Sequence, residues 1–352
     1  MFQWGWNGDW QRKLEEGRYT GIPARIVQAH QDIYRVVSEA GESLAELAGK
    51  LRYQVQRFPV VGDFVVGRPG SRFLIEGILP PDSTIVRQAA GTGQAPQAIA
   101  SNVDVTFIVE AMDQVINPRR IERYLTMARQ GNSHPVILLT KSDMVVDPFS
   151  TVSDIRSIDP EVPAYAVSAM ADDGTASIGQ HLRPGATGVF LGMSGAGKST
   201  LINSLLGDSI QRTGDVRSSD HRGRHTTTAR TLFLLPSGAM IIDTPGMREL
   251  GLWGAENSID DTFWDVVDWT DHCRFGNCTH QTEPGCMVLY AIETGQLEKS
   301  RYLGYQKLQK EAAHQARKGD PALQSQAREH WKKASAQGRA NRQAKLHRFD
   351  RT

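Results

Sequence analysis

The amino-acid sequence predicts a multidomain chain with an N-terminal β-barrel, a central α/β domain and a C-terminal α-helical domain. Short apolar runs broken by Pro and Gly fill residues 21–90, and buried-type strands alternate with helical stretches from about residue 99. A third stretch, rich in Gln, Ala, Lys and Arg, follows residue 295. With 352 residues, the chain is long enough for two or three domains.

The composition is that of an ordinary globular protein. Hydrophobic residues make up 39% and charged residues 22%, and no apolar run approaches the ~20 residues that span a bilayer. The first ten residues contain three tryptophans but lack the basic-then-apolar order of a signal peptide. We therefore expect no membrane association, and the three cysteines, all between Cys273 and Cys286, indicate a reducing cytoplasm and not a disulfide scaffold. Residues 1–20 form an N-terminal extension to which the sequence assigns no function.

Residues 21–92 are interpreted as the barrel because short apolar runs recur there between turn residues. The runs are Ala24–Ala29, Ile33–Val37, Arg52–Val55, Phe64–Gly67 and Phe73–Leu79. Strands of this length and spacing are typical of a small β-barrel, and Greek-key barrels of this size commonly bind nucleic acid. A β-domain without a ligand fits the periodicity equally well.

Residues 97–252 are interpreted as the α/β domain. The predicted strands are Val103–Ala111, Pro135–Leu139, Ala164–Val167, Thr187–Leu191 and Met240–Ile242, and the predicted helices are Pro118–Gln130 and Ser199–Leu206. This alternation predicts a parallel sheet covered on both faces, in which ligands bind at the carboxyl ends of the strands.

A complete phosphate-binding loop follows the fourth of these strands and opens a helix. It consists of Gly192, Met193, Ser194, Gly195, Ala196, Gly197, Lys198, Ser199 and Thr200. Its glycines let backbone N–H groups surround a phosphate, and the helix N-terminus adds partial positive charge. Lys198 would reach the β- and γ-phosphates, and the Ser199 hydroxyl would hold Mg²⁺. A chance glycine-rich turn is the alternative, which the strand–loop–helix context disfavours.

A second motif predicts which base is bound. Thr140, Lys141, Ser142 and Asp143 follow the strand Pro135–Leu139. Guanine offers hydrogens on N1 and N2 that the Asp143 carboxylate can accept as a pair, while the Lys141 stem covers the base. Ser168-Ala169 would back the base from a further loop. Thr140 stands where GTPases usually have Asn, and we expect this change to remove a tie between the loops. Taken alone, the four residues could equally be a solvated turn.

Two further segments are expected to respond to the γ-phosphate. Asp243, at the end of an apolar strand, would contact the Mg²⁺ shell, and the Gly246 amide would sense the γ-phosphate. The polar, basic segment Arg222–Thr228 supplies a threonine for the same shell. We favour Thr228, although Thr226 and Thr227 remain open.

The residue that positions the attacking water is less well defined. Many GTPases use a Gln directly after the Asp-x-x-Gly motif, and this chain has Met247 there. His225 is the nearest candidate by residue type. A surface or nucleic-acid-contacting role for His225 is equally compatible with the sequence.

The motifs do not follow the usual order of a GTPase, in which the phosphate loop comes first. Here Thr140–Asp143 precede Gly192–Ser199, which precede Asp243–Gly246. The same sheet can form because the new termini fall at a surface loop. The sequence therefore predicts a P-loop GTPase domain with a circularly permuted motif order.

Residues 253–300 contain all the cysteines of the chain. Cys273, Cys278, His280 and Cys286 offer three thiolates and one imidazole, a set that suits a closed, tetrahedral, structural zinc site. His272 is a rival ligand, but it adjoins Cys273, where simultaneous ligation would be strained. The alternative is three reduced cysteines near a histidine.

Residues 301–352 read as a basic helical tail. From Lys307 to Thr352, twelve Lys or Arg stand against four Asp or Glu, which leaves a local charge of +8. Such a segment is attracted to phosphate backbones, although a solvated helix face would have a similar composition.

Taken together, these features resemble the RsgA family of circularly permuted, ribosome-dependent GTPases. The matching residues are Thr140–Asp143, Gly192–Thr200, Gly223–Thr228, Asp243–Gly246 and the Cys273/Cys278/His280/Cys286 set. The resemblance implies that the barrel is an OB-fold, that the zinc domain also contacts rRNA, and that His225 is catalytic. It implies GTP hydrolysis to GDP and phosphate, stimulated by the small ribosomal subunit during its late maturation. We expect a monomer.

Two other functions fit parts of the sequence. Met247 in place of Gln would suit a nucleotide-gated RNA-binding module with negligible turnover. An ATPase of unrelated role is the other possibility, and it is disfavoured if Asp143 proves necessary for GTP binding.

Overall fold

The computed structural model describes residues 1–30, 33–54, 57–87, 97–168, 173–207, 230–243 and 256–319. Within them the strands are β1 Ile22–His30, β2 Ile33–Ser38, β3 Gly41–Leu47, β4 Phe64–Arg68, β5 Phe73–Ile78, β6 Thr84–Arg87, β7 Gln97–Ser101, β8 Val105–Ala111, β9 His134–Thr140, β10 Ala164–Ala166, β11 Thr187–Gly192, β12 Arg230–Leu234 and β13 Met240–Asp243. The helices are α1 Gly8–Glu16, α2 Gly49–Gln54, α3 Pro118–Gln130, α4 Pro148–Arg156, α5 Asp173–Gly179, α6 Lys198–Leu206, α7 Glu256–Thr262, α8 Trp264–Asp271, α9 Met287–Glu293 and α10 Lys299–Gly319.

The chain divides into two compact units. Residues 1–87 and 97–251 form the first, and residues 88–96 and 252–352 form the second. Among the described residues, no helix combines the length and the apolar content that crossing a bilayer requires.

The first unit begins with a closed barrel of five strands. β1 pairs with both β2 and β4, and β5 joins β3 to β4, so the ring has no free edge within it. Alternate residues of each strand point inward, and Ile26, Val36 and Ile75 are fully buried in its core. The predicted barrel is confirmed. The predicted strand Arg52–Val55 is wrong, because residues 49–54 form α2; a run this short does not distinguish the two periods.

The second part of this unit is the predicted α/β sheet. Strands β10, β9, β8, β11 and β13 run parallel in that order, and β12 adds an antiparallel strand. Every residue of β8 is buried, as expected for a strand with helices on both faces. Helix α3 starts where the Asn117 side chain accepts from the Arg119 amide and Pro118 takes the first turn.

The barrel and the α/β sheet share hydrogen bonds, which the sequence did not indicate. β12 pairs with β13 on one side and with β1 of the barrel on the other. Gln28 lies opposite Thr231, which lies opposite Asp243 on the next strand. An eleven-stranded sheet therefore runs from β10 through the barrel to β4.

The N-terminal extension is an ordered part of the first unit. Helix α1 is capped by Asn7, whose side chain accepts from the amides of Asp9 and Trp10. The rings of Trp6 and Trp10 pack on Phe64 of the barrel, with centroids 5.3 and 4.5 Å away, and both indoles are buried. The tryptophans therefore extend the barrel core.

A buried arginine joins this extension to both domains. The Arg25 guanidinium on β1 donates to the Trp4 carbonyl at 2.7 Å and to the Thr187 hydroxyl of β11 at 2.8 Å. Gly5 packs so closely there that a Cβ atom on it would lie 2.8 Å from Arg25 Nη1 and 2.8 Å from the Gly185 carbonyl. Complete burial lowers the pKa of Arg25 to about 10, against the opposing charges of Asp104 and Asp63.

The second unit is helical, as predicted, with its own core. Ile259, Phe263 and Val288 are fully buried. The Arg301 guanidinium on α10 donates to the Asp265 carboxylate of α8 at 2.9 Å and lies 4.3 Å from the Phe263 ring centroid. The same guanidinium donates to the Thr262 carbonyl at the end of α7 at 2.8 Å, so Arg301 connects α7, α8 and α10.

Candidate functional site

The predicted nucleotide-binding residues lie at one edge of the parallel sheet. β8 pairs with β11 through Val109↔Gly192 and with β9 through Ala111↔Thr140, so the loops after β11 and β9 emerge at the same edge. β13 lies on the other side of β11 and ends there with Asp243. Buried Ser168 follows β10 at the same edge. Since the predicted phosphate loop follows β11 and the residues predicted to read the base follow β9, β8 separates the two halves of the predicted site.

The phosphate loop leads directly from β11 into helix α6. Gly197 is the N-cap residue, with a φ of 87° that a side chain would strain, and Lys198 begins the helix. Ser194, Ser199 and Thr200 are exposed, whereas Ala196 is buried. Exposed hydroxyls and a helix N-terminus at a strand end form the arrangement that binds phosphate groups.

Lys198 lies within its own loop. Its Nζ atom donates to the carbonyls of Gly192 and Met193, each at 2.7 Å. Burial lowers the pKa of Lys198, and the negative charges of Asp243 and Glu110 oppose that shift. The ammonium is thus held at the loop, close to the carboxylate of Asp243, where a triphosphate would bind.

Thr140 ties the base-reading loop to the phosphate loop. Its hydroxyl donates to the Ala196 carbonyl at 2.7 Å, and both residues are buried. The expectation that a threonine leaves these loops untied is therefore wrong. The close approach also involves Gly197, since a Cβ atom on that residue would lie only 3.3 Å from Thr140 Oγ1.

Backbone hydrogen bonds hold the turn that is predicted to read the base. Lys141 has a φ of 60°, in the left-handed region, and its carbonyl accepts from the Met144 amide at 3.0 Å. The Ser142 amide donates to the Val167 carbonyl at 3.3 Å, which joins this turn to the loop containing Ser168. Asp143 is exposed at the edge of the sheet, so its carboxylate is accessible to a ligand.

Two acidic residues of β8 and its following loop were missed by the sequence analysis. Asp113 lies 2.7 Å from the Lys141 ammonium. Glu110 is buried and accepts from Arg120 Nε at 2.6 Å. A signal for Glu110 was present, since it is one of two carboxylates, with Asp104, in the mostly apolar predicted strand Val103–Ala111. For Asp113 there was none, because a loop acid is ordinary.

Several predicted site residues lie outside the described residues. These are Ala169, Arg222–Thr228 with the catalytic candidate His225 and the three threonines, and Thr244–Met247 with Gly246. The described strands β12 and β13 flank these segments: β12 begins at Arg230 and β13 ends at Asp243. The assignments to these residues stay predictions.

The second unit brings the predicted metal ligands together. Candidate ligand atoms of Cys273, Cys278, His280 and Cys286 all lie within 4.8 Å of one another. His280 Nδ1 is 3.5 Å from the Cys273 sulfur and 3.4 Å from the Cys286 sulfur. A tetrahedral site with Zn–S and Zn–N bonds of about 2.3 and 2.0 Å separates sulfur from nitrogen by about 3.5 Å. The cluster therefore fits a metal ion in a closed four-ligand site.

The rival ligand His272 does not join this cluster. Its Nδ1 atom lies 2.6 Å from the Asp268 carbonyl, one turn back on α8, and its side chain is exposed. Cys286 also supports the fold, since its sulfur accepts from the Leu289 amide at the start of α9. Glu283 accepts hydrogen bonds from Thr279 and from the Gln281 amide, on either side of His280. These bonds hold the pKa of Glu283 well below its usual range.

Comparison with known proteins gives a consistent result. A family model described as RsgA GTPase matches residues 78–253. The small ribosomal subunit biogenesis GTPase RsgA of Opitutus terrae is 42% identical over 327 residues, which cover 89% of each chain.

Two solved structures are similar to this chain. YjeQ from Thermotoga maritima has a TM-score of 0.61 and 25% identity, covering 82% of this chain and 96% of its own. YloQ, which is described as a circularly permuted GTPase, has a TM-score of 0.58 and 24% identity, covering 82% of this chain and 94% of its own. The latter likeness concerns the fold.

Proposed function

This chain belongs to the RsgA GTPase family, and from that membership we propose that it hydrolyses GTP while it assists the late maturation of the small ribosomal subunit. In the structure, the proposal is supported by the bond that joins the two predicted halves of the nucleotide site, at the sheet edge where β8, β9 and β11 end (the nucleotide edge). The Thr140 hydroxyl bonded to the Ala196 carbonyl links the base-reading turn to the phosphate loop, so one ligand with a guanine and a triphosphate can span both.

The described residues divide the binding of GTP among them. The exposed carboxylate of Asp143 accepts from N1 and N2 of guanine, and the stem of Lys141 covers the base. Backbone amides of Gly192–Thr200 and the Lys198 ammonium bind the phosphates. The ammonium would exchange its bonds to the Gly192 and Met193 carbonyls for phosphate oxygens. Mg²⁺ bound with GTP neutralises developing charge, and Ser199 and Asp243 are the residues that would hold it.

The segments next to β12 and β13, Arg222–Thr228 and Thr244–Met247, would then respond to hydrolysis. We assign the remaining Mg²⁺-shell hydroxyl to Thr228, the γ-phosphate-sensing amide to Gly246 and the positioning of water to His225. Because β12 also pairs with barrel strand β1, a conformational change in either segment could be transmitted to the barrel through β12. We propose that the OB-fold barrel and the metal-binding unit contact rRNA when GTP is bound and release it after hydrolysis.

We propose that the metal of the second unit is zinc. Three thiolates and one imidazole at tetrahedral separations suit Zn²⁺. Four protein ligands leave no open position for a substrate, which supports a structural role. The basic tail adds a second attraction to rRNA phosphates.

GTP turnover with and without purified small ribosomal subunits tests this function. We expect stimulation by small subunits, none by large subunits, and loss of the stimulation in His225→Ala. Co-sedimentation with small subunits should be stronger in a non-hydrolysable GTP analogue than in GDP. Absence of stimulation together with nucleotide-independent co-sedimentation would contradict the proposal.

The two other functions predict different outcomes. Binding to the subunit that depends on GTP, without turnover above background, would identify a nucleotide-gated RNA-binding module, which Met247 favours. Asp143→Asn should weaken GTP binding and leave ATP binding unchanged. In an ATPase of unrelated role, the substitution would not affect the two nucleotides differently. We expect the protein to act as a cytoplasmic monomer, which sedimentation equilibrium of the free protein would check.

A further inference from the structure

One carboxylate at the nucleotide edge has no role in the function proposed above. Asp113 lies two residues beyond the end of β8, the strand between those that bear the base-reading turn and the phosphate loop. Its Oδ2 atom is 2.7 Å from Nζ of Lys141, and the two side chains are 24% and 29% exposed. We propose that Asp113 is the positioning residue for Lys141 and thereby sets the affinity for guanine nucleotides. The inference rests on the proposed function of this edge.

The backbone at Lys141 leaves the side chain as the movable part. The left-handed φ of 60° is one that residues other than glycine rarely adopt. It is held by the bond from the Met144 amide to the Lys141 carbonyl and by the bond from the Ser142 amide to the Val167 carbonyl. The direction in which the side chain leaves the chain is therefore fixed, and only its flexible four-carbon stem remains to be ordered.

Strand pairing positions the partner carboxylate. β8 and β9 pair in parallel up to Ala111↔Thr140, and the Met112 amide then donates to the Thr140 carbonyl at 2.9 Å. Asp113 and Lys141 are the next residues beyond this last bond on their respective strands. Strand pairing, and not a long loop, therefore brings the two charges together.

An anchored ammonium changes what the stem can do. A lysine ammonium is strongly hydrated and its stem is flexible, so an unpaired Lys141 would sample solvent. Asp113 fixes the far end of the stem, which can then lie across the face of a base.

This role predicts a particular pattern of effects. The stem contacts the base, which is the same in GDP and GTP, so loss of Asp113 should weaken both to the same degree. Interactions of equal strength in the ground and transition states change KM and leave kcat unaltered. Because the pair is partly exposed, we expect a loss of affinity of roughly two- to five-fold.

A double-mutant cycle tests the proposal, with GDP and a non-hydrolysable GTP analogue as titrants in calorimetry. Asp113→Asn should raise both dissociation constants two- to five-fold, and Asp113→Glu should restore most of the affinity. In the Lys141→Met background, Asp113→Asn should have no further effect, because a residue acting through Lys141 has nothing left to position. Glu42→Gln is the matched control, since it removes an ion pair of similar length, Arg35–Glu42, from the barrel.

Each result distinguishes one explanation from another. An equal loss from Asp113→Asn in both backgrounds would show a structural effect independent of Lys141 and overturn the inference. So would an Asp113→Asn affinity no different from that of Glu42→Gln. A wild-type chain that binds neither nucleotide would instead contradict the proposed function itself.

Discussion

At the scale of single residues, the Thr140 hydroxyl replaces an asparagine amide with a shorter group. It bonds directly to the Ala196 carbonyl, next to Gly197, where a Cβ atom would crowd the hydroxyl. The tie therefore depends on one donor atom. Its removal would leave a buried carbonyl without that donor, which is more unfavourable than the loss of a solvated bond.

We expect Thr140→Val, which keeps the shape and removes the donor, to lower the free energy of unfolding by about 1–3 kcal/mol. The dissociation constant for GDP should rise as well, because the loop after β9 and the phosphate loop would no longer be joined by this bond. Urea unfolding and calorimetric titration measure the two effects. Thr140→Ser retains the hydroxyl and should stay close to wild type; a Val variant indistinguishable from Ser would disprove the tie.

A second residue-scale prediction concerns pH. Burial lowers the pKa of His181, whose Nε2 atom lies 3.0 Å from the Tyr165 hydroxyl. Below the ordinary histidine value of 6.5, the unfolded chain binds a proton that the folded chain still excludes. The stabilising contribution of the neutral imidazole is therefore present above pH 6.5 and is lost as the pH falls further.

The difference between wild type and His181→Gln isolates this contribution. We expect the thermal midpoint of wild type, relative to that of the variant, to decrease between pH 7 and pH 5. Carboxylates that titrate in both proteins cancel in this difference. A relative midpoint that is constant or rises on acidification would show that protonation of His181 does not destabilise the folded protein.

At the scale of elements, the N-terminal extension belongs to the barrel. Trp6 and Trp10 bury their rings against Phe64, and Trp4 supplies a carbonyl to Arg25. Replacing Trp6 by Ala removes a large side chain from this core, and we expect it to destabilise the first unit by about 3–5 kcal/mol. Trp264, which is 54% exposed, is the matched control.

Urea unfolding monitored by circular dichroism checks this, because both variants lose one tryptophan and fluorescence alone would not compare them fairly. Trp264→Ala should lower stability by about 1 kcal/mol or less, as surface substitutions usually do. Equal effects of Trp6→Ala and Trp264→Ala would mean that the extension does not contribute to the core.

Two histidines, His280 inside the Cys273–Cys286 cluster and His272 beside it, can be compared as metal ligands. His280 faces two sulfurs, whereas His272 is exposed beside Asp268. We expect His280→Ala to reduce bound zinc well below one per chain and His272→Ala to retain one. Elemental analysis of the purified proteins measures this. Loss of metal from His272→Ala alone would reassign the ligand.

At the scale of the whole molecule, each unit has its own core, so nucleotide and metal should stabilise different residues. We expect a chelator to raise amide hydrogen exchange in residues 256–319 and GDP to lower it around β8, β9 and β11. Exchange measured by mass spectrometry resolves these regions. A chelator effect confined to the nucleotide edge would be incompatible with this assignment.

Much of this architecture follows from local pattern. The strands that became β8, β9 and β11 were predictable because burial on both faces requires continuous apolar runs, and the phosphate loop and metal ligands have short, fixed spacings. Three other features are contacts between residues that are far apart in the sequence. Asp113–Lys141, Arg25–Thr187 and the β1–β12 pairing join residues 28, 162 and about 200 positions apart, and no local period records such contacts.

The β1–β12 pairing also bears on solubility. A strand at the margin of a sheet presents unpaired N–H and C=O groups, which invite strands from other chains and lead to aggregation. β1 covers that margin of β12 at Arg230 and Thr231. A shortened chain that begins near residue 97 would keep every described residue of the nucleotide edge and expose this strand. Such a fragment should scatter light on concentration, so the barrel also protects the α/β domain from self-association.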